Sequence, residues 1–189
     1  MTLAIIAVAI MTGLFRRVLI RLVKSVVIFA CCTLLLACES VPTTVNTASK
    51  ALPGRVSAGI RPVESILITG QSMEVLFYLT NGTDNPITVL PWGTPLEQQM
   101  TADRFEISLS GNGIPYSGPV VKRPAPSEDH YLTLEAGEKR ETVVDLSQVY
   151  DVSASGEYTV ALRGFAFQSL NSDSIDPFLV EKSFSVTRQ

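Results

Sequence analysis

The sequence predicts an all-β domain, an immunoglobulin-like β-sandwich, and three observations support this expectation. Several segments alternate apolar and polar residues with the period of two that a half-buried strand requires. Turn-forming residues separate these segments at short intervals. No segment keeps a helical period over about ten residues. Seven or so short strands with frequent turns between them are typical of a β-sandwich.

The first strands are expected between residues 55 and 90. Residues 55–60 and 65–68 have weak strand character. A turn-forming cluster, residues 81–86, separates a clearly alternating segment from a further strand at residues 87–90. The apolar positions of that alternating segment are Met73, Val75, Phe77 and Leu79.

The middle of the chain predicts a hairpin and an edge strand. Phe105, Ile107 and Leu109 are expected on one face of a strand, with Gly111-Asn112-Gly113 as the turn that follows it. The prolines in residues 114–119 favour an edge strand or a bend. Residues 120–122 are expected to form a short strand before a solvated loop.

Four further strands are predicted in the last third of the chain. Residues 131–134 and 142–146 are expected to form a hairpin around a turn at 135–138. Residues 156–163 alternate, and residues 180–186 supply the last strand. Tyr150 precedes the alternating strand, so it is either a tyrosine corner, with its hydroxyl bonded to nearby backbone, or a plain buried tyrosine.

Residues 1–37 are predicted to be a bacterial lipoprotein signal peptide. Four basic residues lie between positions 16 and 24, and an apolar run of about a dozen residues follows, too short for a membrane span. The run ends in Leu35-Leu36-Ala37-Cys38, which resembles a lipobox, so Cys38 is expected to be lipidated and to begin the mature protein. The alternative is a signal anchor in which Cys38 is an ordinary apolar residue.

Two adjoining segments complete the predicted organisation. Residues 1–10 are apolar and lie on the wrong side of the basic cluster; translation from Met11 explains them more simply than a second membrane element. Residues 38–53, the lipidated cysteine and a tether rich in Ser, Thr, Ala and Pro, would join the lipid to a domain at 54–189. The expected location is the bacterial cell envelope, on the periplasmic side of the outer membrane.

Composition and isolated residues give little support for catalysis. The net charge is −3, which argues against nucleic acid as a partner, and all three cysteines lie within the first 38 residues, so the predicted domain has none. His130 is the sole histidine and is expected to be a solvated loop residue, so neither a zinc site nor a Ser-His-Asp triad is predicted. Lys122 and Arg123 are expected only to keep an edge strand soluble. No cofactor and no enzymatic activity are predicted. The sequence spacing gives no support for a catalytic pair of carboxylates. The acidic residues considered are expected to face solvent from the sheets, and they are Asp103, Glu106, Glu138 and Asp145.

Trp92 and Tyr116 are the candidate partner-binding residues. Trp92 is the sole tryptophan and lies between a proline and a glycine. Loops at the ends of a β-sandwich often carry recognition, and both residue types are enriched in binding hot spots. The competing interpretation is that Trp92 caps one end of the core and contributes to stability.

A series of short motifs resembles a known protein family. In order they are Asn81-Gly82-Thr83-Asp84, Leu90-Pro91-Trp92-Gly93-Thr94-Pro95-Leu96, Phe105, Pro115-Tyr116-Ser117-Gly118, Val121-Lys122, Leu134-Glu135-Ala136-Gly137-Glu138, Asp145-Leu146, Tyr150-Asp151-Val152-Ser153 and Gly156-Glu157-Tyr158. The series is similar to the N-terminal, non-catalytic region of deuterolysin-like and peptidyl-Lys zinc metallopeptidases, the aspzincins, over residues 56–167. The family's His-Glu-x-x-His motif is missing here. The resemblance implies a stand-alone, pro-region-like β-sandwich with no catalytic residue.

These observations lead to two functional hypotheses of different kinds. The first is a membrane-tethered binding or inhibitory module whose partner is a metallopeptidase. The second is a structural or assembly lipoprotein of the envelope with no peptidase partner. The third and weakest hypothesis is an enzyme in its own right, because residues that could act as a nucleophile or bind a metal are so few.

Overall fold

The computed structural model of this chain describes residues 52–170 and 174–189, which form eleven β-strands. The bounds are β1 Val56–Pro62, β2 Ile66–Leu67, β3 Glu74–Asn81, β4 Ile87–Val89, β5 Phe105–Leu109, β6 Asn112–Ile114, β7 Leu132–Leu134, β8 Lys139–Asp145, β9 Gly156–Leu162, β10 Phe178–Leu179 and β11 Ser183–Arg188. The helical structure of these residues consists of three short 3-10 turns, Pro95–Glu97, Glu128–His130 and Leu146–Gln148. None of the helices in the two described ranges is long and apolar enough to cross a membrane. The predicted signal peptide, Cys38 and the tether up to residue 51 lie outside the described residues.

Two sheets form a sandwich with immunoglobulin-like connectivity. The first has the strand order β10-β1-β3-β8 and the second β2-β11-β9-β5-β6, while β4 and β7 pair as a small separate sheet. The pairs β1–β10 and β2–β11 are parallel, and the other pairs are antiparallel. The orders β1-β3-β8 and β11-β9-β5 correspond to strands A-B-E and G-F-C of the immunoglobulin fold. The predicted fold class is therefore confirmed.

Alternating strands from both sheets supply the core. In β3 and just before it, the four predicted apolar positions, Met73, Val75, Phe77 and Leu79, are all buried. Phe105 and Ile107 of β5 are buried as well, and so are Tyr158, Val160 and Leu162 of β9. Because successive side chains of a strand point to opposite faces, each of these strands can bury one row of apolar side chains between the sheets.

The opposite face of β3 is more buried than the alternation suggests. Tyr78 lies over Gly59 of β1, where an added Cβ would overlap the tyrosine ring. The Tyr78 hydroxyl donates to Glu181 Oε2 at 2.8 Å, and Arg61 and Lys139 lie over its ring. A glycine is needed at position 59 because the aromatic side chain occupies the space of its missing side chain.

The tyrosine corner is present at a different residue from the one considered. The Tyr158 hydroxyl, near the start of β9, donates to the Ala154 carbonyl oxygen at 2.6 Å, which is the backbone bond of a tyrosine corner. Tyr150 is buried, but its hydroxyl donates to Asp103 Oδ1 at 2.7 Å, in a distant part of the sequence. The interpretation of Tyr150 as a buried tyrosine is therefore confirmed, and its hydroxyl also joins two segments through a carboxylate.

The predicted hairpin between residues 131–134 and 142–146 is wrong. β7 pairs with β4 and β8 pairs with β3, so the turn between them carries the chain from one sheet to another. Asn81 at the end of β3 fixes this crossing. Its side-chain amide donates to the Leu134 and Glu135 carbonyl oxygens, each at 3.1 Å. Its backbone oxygen accepts from the Gly137 amide at 2.8 Å.

Three other local predictions need correction. The hairpin between β5 and β6 exists, but Leu109 pairs with Asn112, so the turn residues are Ser110 and Gly111. Both have positive φ, 50° and 84°, as a type I′ turn requires. Residues 120–122 have no strand structure, and Val120 is 83% exposed. The last strand also begins later than expected, at Ser183.

Candidate functional site

The segment 91–104, which leads from β4 to β5, is built around a short capped turn. The Thr94 hydroxyl donates to the Pro91 carbonyl oxygen at 2.6 Å and accepts from the Leu96 amide at 3.3 Å. Gly93 adopts a φ of 64°, a conformation that glycine accepts without strain. Thr94 and Leu96 are buried, so they fix the segment to the domain and leave Trp92 at the surface end.

The Trp92 ring contacts two side chains from the loop that precedes β7. The Arg123 guanidinium carbon lies 4.9 Å from the centre of the indole, a cation–π contact. The centre of the His130 ring lies 4.6 Å from it, with the two planes tilted by 57°. Together with Glu97, these residues form what we call the Trp92 cluster: Trp92, Glu97, Arg123 and His130.

Glu97 joins the two loops of the Trp92 cluster. One carboxylate oxygen pairs with the Arg123 guanidinium. The other accepts from the Gly93 amide at 2.8 Å and from the Thr101 hydroxyl at 2.6 Å. The same carboxylate therefore shapes the 91–104 segment and positions the cation that covers Trp92. The polar contacts hold the indole in one place, which lowers the entropic cost of using it in recognition.

The local turn fixes the tautomer of His130. The Ser127 backbone amide donates to His130 Nδ1 at 3.0 Å, so that nitrogen carries no proton in the neutral ring. The proton is then on Nε2, which is available as a donor. The His130 side chain is 38% exposed. The predicted solvated loop histidine is thus a partly exposed residue whose ring also contacts Trp92.

Trp92 does not cap the hydrophobic core. The residue is half-buried, and its ring contacts are a cation and an imidazole rather than core side chains. The clustered buried residues of the domain include Leu96 and Met100 from the same segment, but not Trp92. The prediction that it caps the core is therefore wrong. The physical reason is that the buried neighbours on either side already anchor the segment.

Tyr116 contacts the other end of the same segment. Its hydroxyl lies 2.8 Å from the Pro119 carbonyl oxygen and 3.2 Å from that of Met100. Its ring packs edge-on against Tyr150, with the ring centres 5.5 Å apart. Burial, and secondarily the charge of Asp103, raises the pKa of the Tyr116 hydroxyl. These contacts make Tyr116 a half-buried support of the loops, and its role in partner binding stays a prediction.

Two members of the Trp92 cluster could not be predicted from the sequence. Glu97 and Arg123 are separated by β5 and β6, and no spacing rule joins them. Arg123 was predicted to protect an edge strand, but it lies in a loop, where its partners are an indole and a carboxylate. Within the described residues, no three His, Cys, Asp or Glu side chains come together as a possible metal site.

Comparison with known proteins finds similarity to parts of proteases. The chain is 34% identical over 82 residues to an extracellular protease of Aeromonas hydrophila, covering 43% of this chain and 23% of that protein. It is 24% identical over 107 residues to a neutral protease 2 homolog of Phaeosphaeria nodorum, covering 54% of this chain and 31% of that protein. The chain thus spans less than a third of either relative. No protein-family model matches the sequence.

A solved structure also overlaps this chain weakly. It is the crystal structure of YcdA from Bacillus subtilis, a protein thought to be a lipoprotein. The overlap covers 69% of this chain and 33% of that one, at 12% sequence identity and a TM-score of 0.26. An overlap of this quality supports no argument about fold or function.

Proposed function

We propose that this protein is a lipid-anchored, non-catalytic β-sandwich that binds a metallopeptidase of the aspzincin type and acts on it as a binding or inhibitory module. The observation that carries the proposal is the 34% identity over 82 residues to part of an extracellular protease. This identity, together with the resemblance to the non-catalytic region of the aspzincins, favours a domain that works beside a catalytic domain. The sequence has one histidine, so it cannot supply a His-Glu-x-x-His motif.

The Trp92 cluster is the surface we assign to this partner. Its indole is half-buried and contacts a guanidinium and an imidazole that help to hold it in place, so it can be covered by a partner without reordering the loop. Tryptophan and arginine are the residue types most enriched in binding hot spots, and here the two are in contact. The cluster lies on loops that a rigid sandwich presents, where recognition is commonly found.

The direct test uses a purified aspzincin catalytic domain and the full chain. We expect a complex by calorimetry and a change in peptidase activity that saturates with the same dissociation constant. The Trp92→Ala variant should bind at least about tenfold more weakly, as loss of a hot-spot side chain does. Phe178→Ala is the matched control, because Phe178 is 48% exposed and also contacts an arginine, Arg55, but lies on β10.

Three outcomes of this test are informative. Binding that is weakened by Trp92→Ala and unchanged by Phe178→Ala supports both the partner and the surface. Binding that neither substitution changes supports the partner but contradicts the Trp92 cluster as its surface. Absence of any binding or inhibition contradicts the peptidase partner, and the structural or assembly role in the envelope then becomes the better hypothesis.

The membrane anchor is a separate part of the proposal. It rests on the lipobox-like Leu35-Leu36-Ala37-Cys38 and on the tether that follows it. Mass spectrometry of the protein extracted from membranes should find an N-terminal, lipidated Cys38, whether translation begins at Met1 or Met11. An intact leader with an unmodified Cys38 would contradict the lipid anchor. In that case the leader itself would hold the protein, and a Cys38→Ala variant would stay in the membrane fraction as the native protein does.

A further inference from the structure

A cleft at one end of the sandwich is lined by a buried arginine. The cleft, of about 430 Å³, lies between the loop that joins β2 to β3 and the segment that follows β8. Arg188, at the end of β11, lines it together with Gln71, Ser72, Asp151 and Ser153. A volume of this size is in the range of small-molecule sites.

Arg188 has few protein partners for so buried a charge. The residue is 4% exposed. Its Nη1 donates to the Ile68 carbonyl oxygen at 3.0 Å, while its Nε is buried and has no acceptor among the described residues. Burying a guanidinium without a compensating anion is costly, so such a side chain is usually paired.

Four other arginines of the domain are paired with carboxylates although they are more exposed. The side chains of Arg61, Arg123, Arg140 and Arg163 are 29–48% exposed, and each lies within 4.0 Å of a carboxylate oxygen. Arg188 has no such partner within residues 52–170 and 174–189. The domain therefore places its most buried arginine beside an open cleft instead of beside a carboxylate.

We propose that this cleft binds a carboxylate, with the Arg188 guanidinium as its principal donor. The guanidinium fork matches the two oxygens of a carboxylate, and pairs of this kind are among the stronger hydrogen-bonded contacts. Gln71 can assist, because its amide oxygen already accepts from the Ile68 amide at 3.2 Å and its NH2 group remains a donor. The proposal does not rest on a protease partner and uses none of the residues of the Trp92 cluster.

Asp151 restricts the charge of the ligand. Its carboxylate lines the same cleft and accepts from the Ser153 hydroxyl at 2.6 Å and from the Ser153 amide at 3.3 Å. These hydrogen bonds hold the pKa of Asp151 below its usual value, so it is ionised at neutral pH. A dianion such as phosphate would be repelled by this charge more than a single carboxylate is. The carboxylate could belong to a small free acid or to the C-terminus of a peptide.

Titration of the full, isotope-labelled chain tests this site by NMR. The probes are propionate, a tripeptide with a free C-terminus and the same tripeptide amidated. We expect the acids to shift the amides of residues 69–72 and 151–153, and the amidated peptide to leave them in place. Equal affinity for both acids points to a small-acid ligand, and tighter binding of the peptide acid points to a peptide C-terminus.

Substitutions in the cleft have opposite expected effects. Arg188→Met should weaken binding of the acid roughly ten- to hundredfold, the loss expected for a charge-assisted hydrogen bond. Asp151→Asn should bind the same acid as tightly or more tightly, because it removes the repulsive charge. Arg188→Lys keeps the charge but loses the fork, so it tests the geometry if the methionine variant fails to fold. The proposal is overturned if the amidated peptide binds as well as the acid, or if neither Arg188 variant weakens binding.

Discussion

The strand framework and the Trp92 cluster hold aromatic rings in two different ways. Phe77 and Phe105 are fully buried in strands of the two facing sheets, where they belong to the hydrophobic core. Trp92 is half-buried, and its position is set by polar groups: a guanidinium, an imidazole and the carboxylate that pairs with the guanidinium. The first arrangement contributes to stability through burial, whereas the second keeps a large ring ordered at the surface.

This difference implies that the two regions respond unequally to the same kind of substitution. A buried ring contributes transfer free energy and leaves a cavity when it is removed. A surface ring in a cation–π contact contributes about 0.5–1 kcal/mol when it is exposed. Recognition surfaces can therefore be altered here with little damage to the fold, which makes the binding tests on Trp92 interpretable.

The largest effect is expected in the framework, from Phe77→Ala. This side chain is fully buried in β3, so the variant should lose about 3–5 kcal/mol of unfolding free energy. Phe178→Ala makes the same chemical change at a 48% exposed position and should cost less than about 1 kcal/mol. Chemical denaturation followed by circular dichroism measures both. Equal losses for the two variants would show that the sheets do not form the core described here.

The next effect is expected where Tyr150 joins the framework to the 91–104 segment. Its hydroxyl donates to Asp103 Oδ1 at 2.7 Å and lies 3.2 Å from the Phe105 carbonyl oxygen. Tyr150→Phe should cost about 1.5 kcal/mol, near the lower value for a hydrogen bond to a charged group, because Asp103 is partly exposed. Asp103→Asn in the Tyr150→Phe background should then add little. If the two losses instead sum, the hydrogen bond between the two residues is not the cause.

Tyr150 also predicts how stability changes at alkaline pH. Burial, followed by the hydrogen bond to Asp103 and the charge of that residue, raises the pKa of Tyr150. The folded state therefore keeps this proton at pH values where the unfolded state has lost it. The resulting stability is complete below the unfolded pKa of about 10 and is lost as the pH rises through the folded pKa.

Unfolding free energies measured at increasing pH check this prediction. The native protein should lose stability above about pH 10, and Tyr150→Phe should lose less over the same interval. The stability of Tyr150→Phe should still depend on pH to some extent, because burial also raises the pKa values of Tyr116 and Tyr158. Identical alkaline profiles for the native protein and Tyr150→Phe would contradict the assignment.

The difference between the strand framework and the Trp92 cluster also explains what could be predicted from the sequence. The buried faces of β3, β5 and β9 follow from their alternation, because burial of one face of a strand leaves a period of two in the sequence. The pairing of β7 with β4 could not be foreseen, since a short turn beside β8 looks like a hairpin. The Asn81 side chain, which lies in a distant strand, holds this turn through hydrogen bonds to the Leu134 and Glu135 carbonyl oxygens.

The candidate site was only partly predictable for a related reason. Trp92 was identified because a lone tryptophan in a turn-rich loop is conspicuous. Its partners Arg123 and His130 are brought to it by tertiary structure, and nothing local distinguishes them from other loop residues. Arg188 was missed too, because its burial depends on where β11 ends relative to the loop after β2.

The smallest expected effect is the coupling between Trp92 and Arg123. Trp92 and Arg123 lie at a partly exposed site, where loss of one side chain has a small effect on stability. Trp92→Ala should therefore lower the unfolding free energy by about 1 kcal/mol and not by the 3–5 kcal/mol expected for a core ring. A double-mutant cycle with Arg123→Ala isolates the contact, and a coupling of about 0.5–1 kcal/mol is expected. Phe178→Ala combined with Arg123→Ala is the control and should show no coupling, because these residues do not touch.

A Trp92→Ala loss as large as that of Phe77→Ala would mean that the indole is part of the core. A coupling near zero would leave Trp92 at the surface but remove Arg123 as the group that orders it.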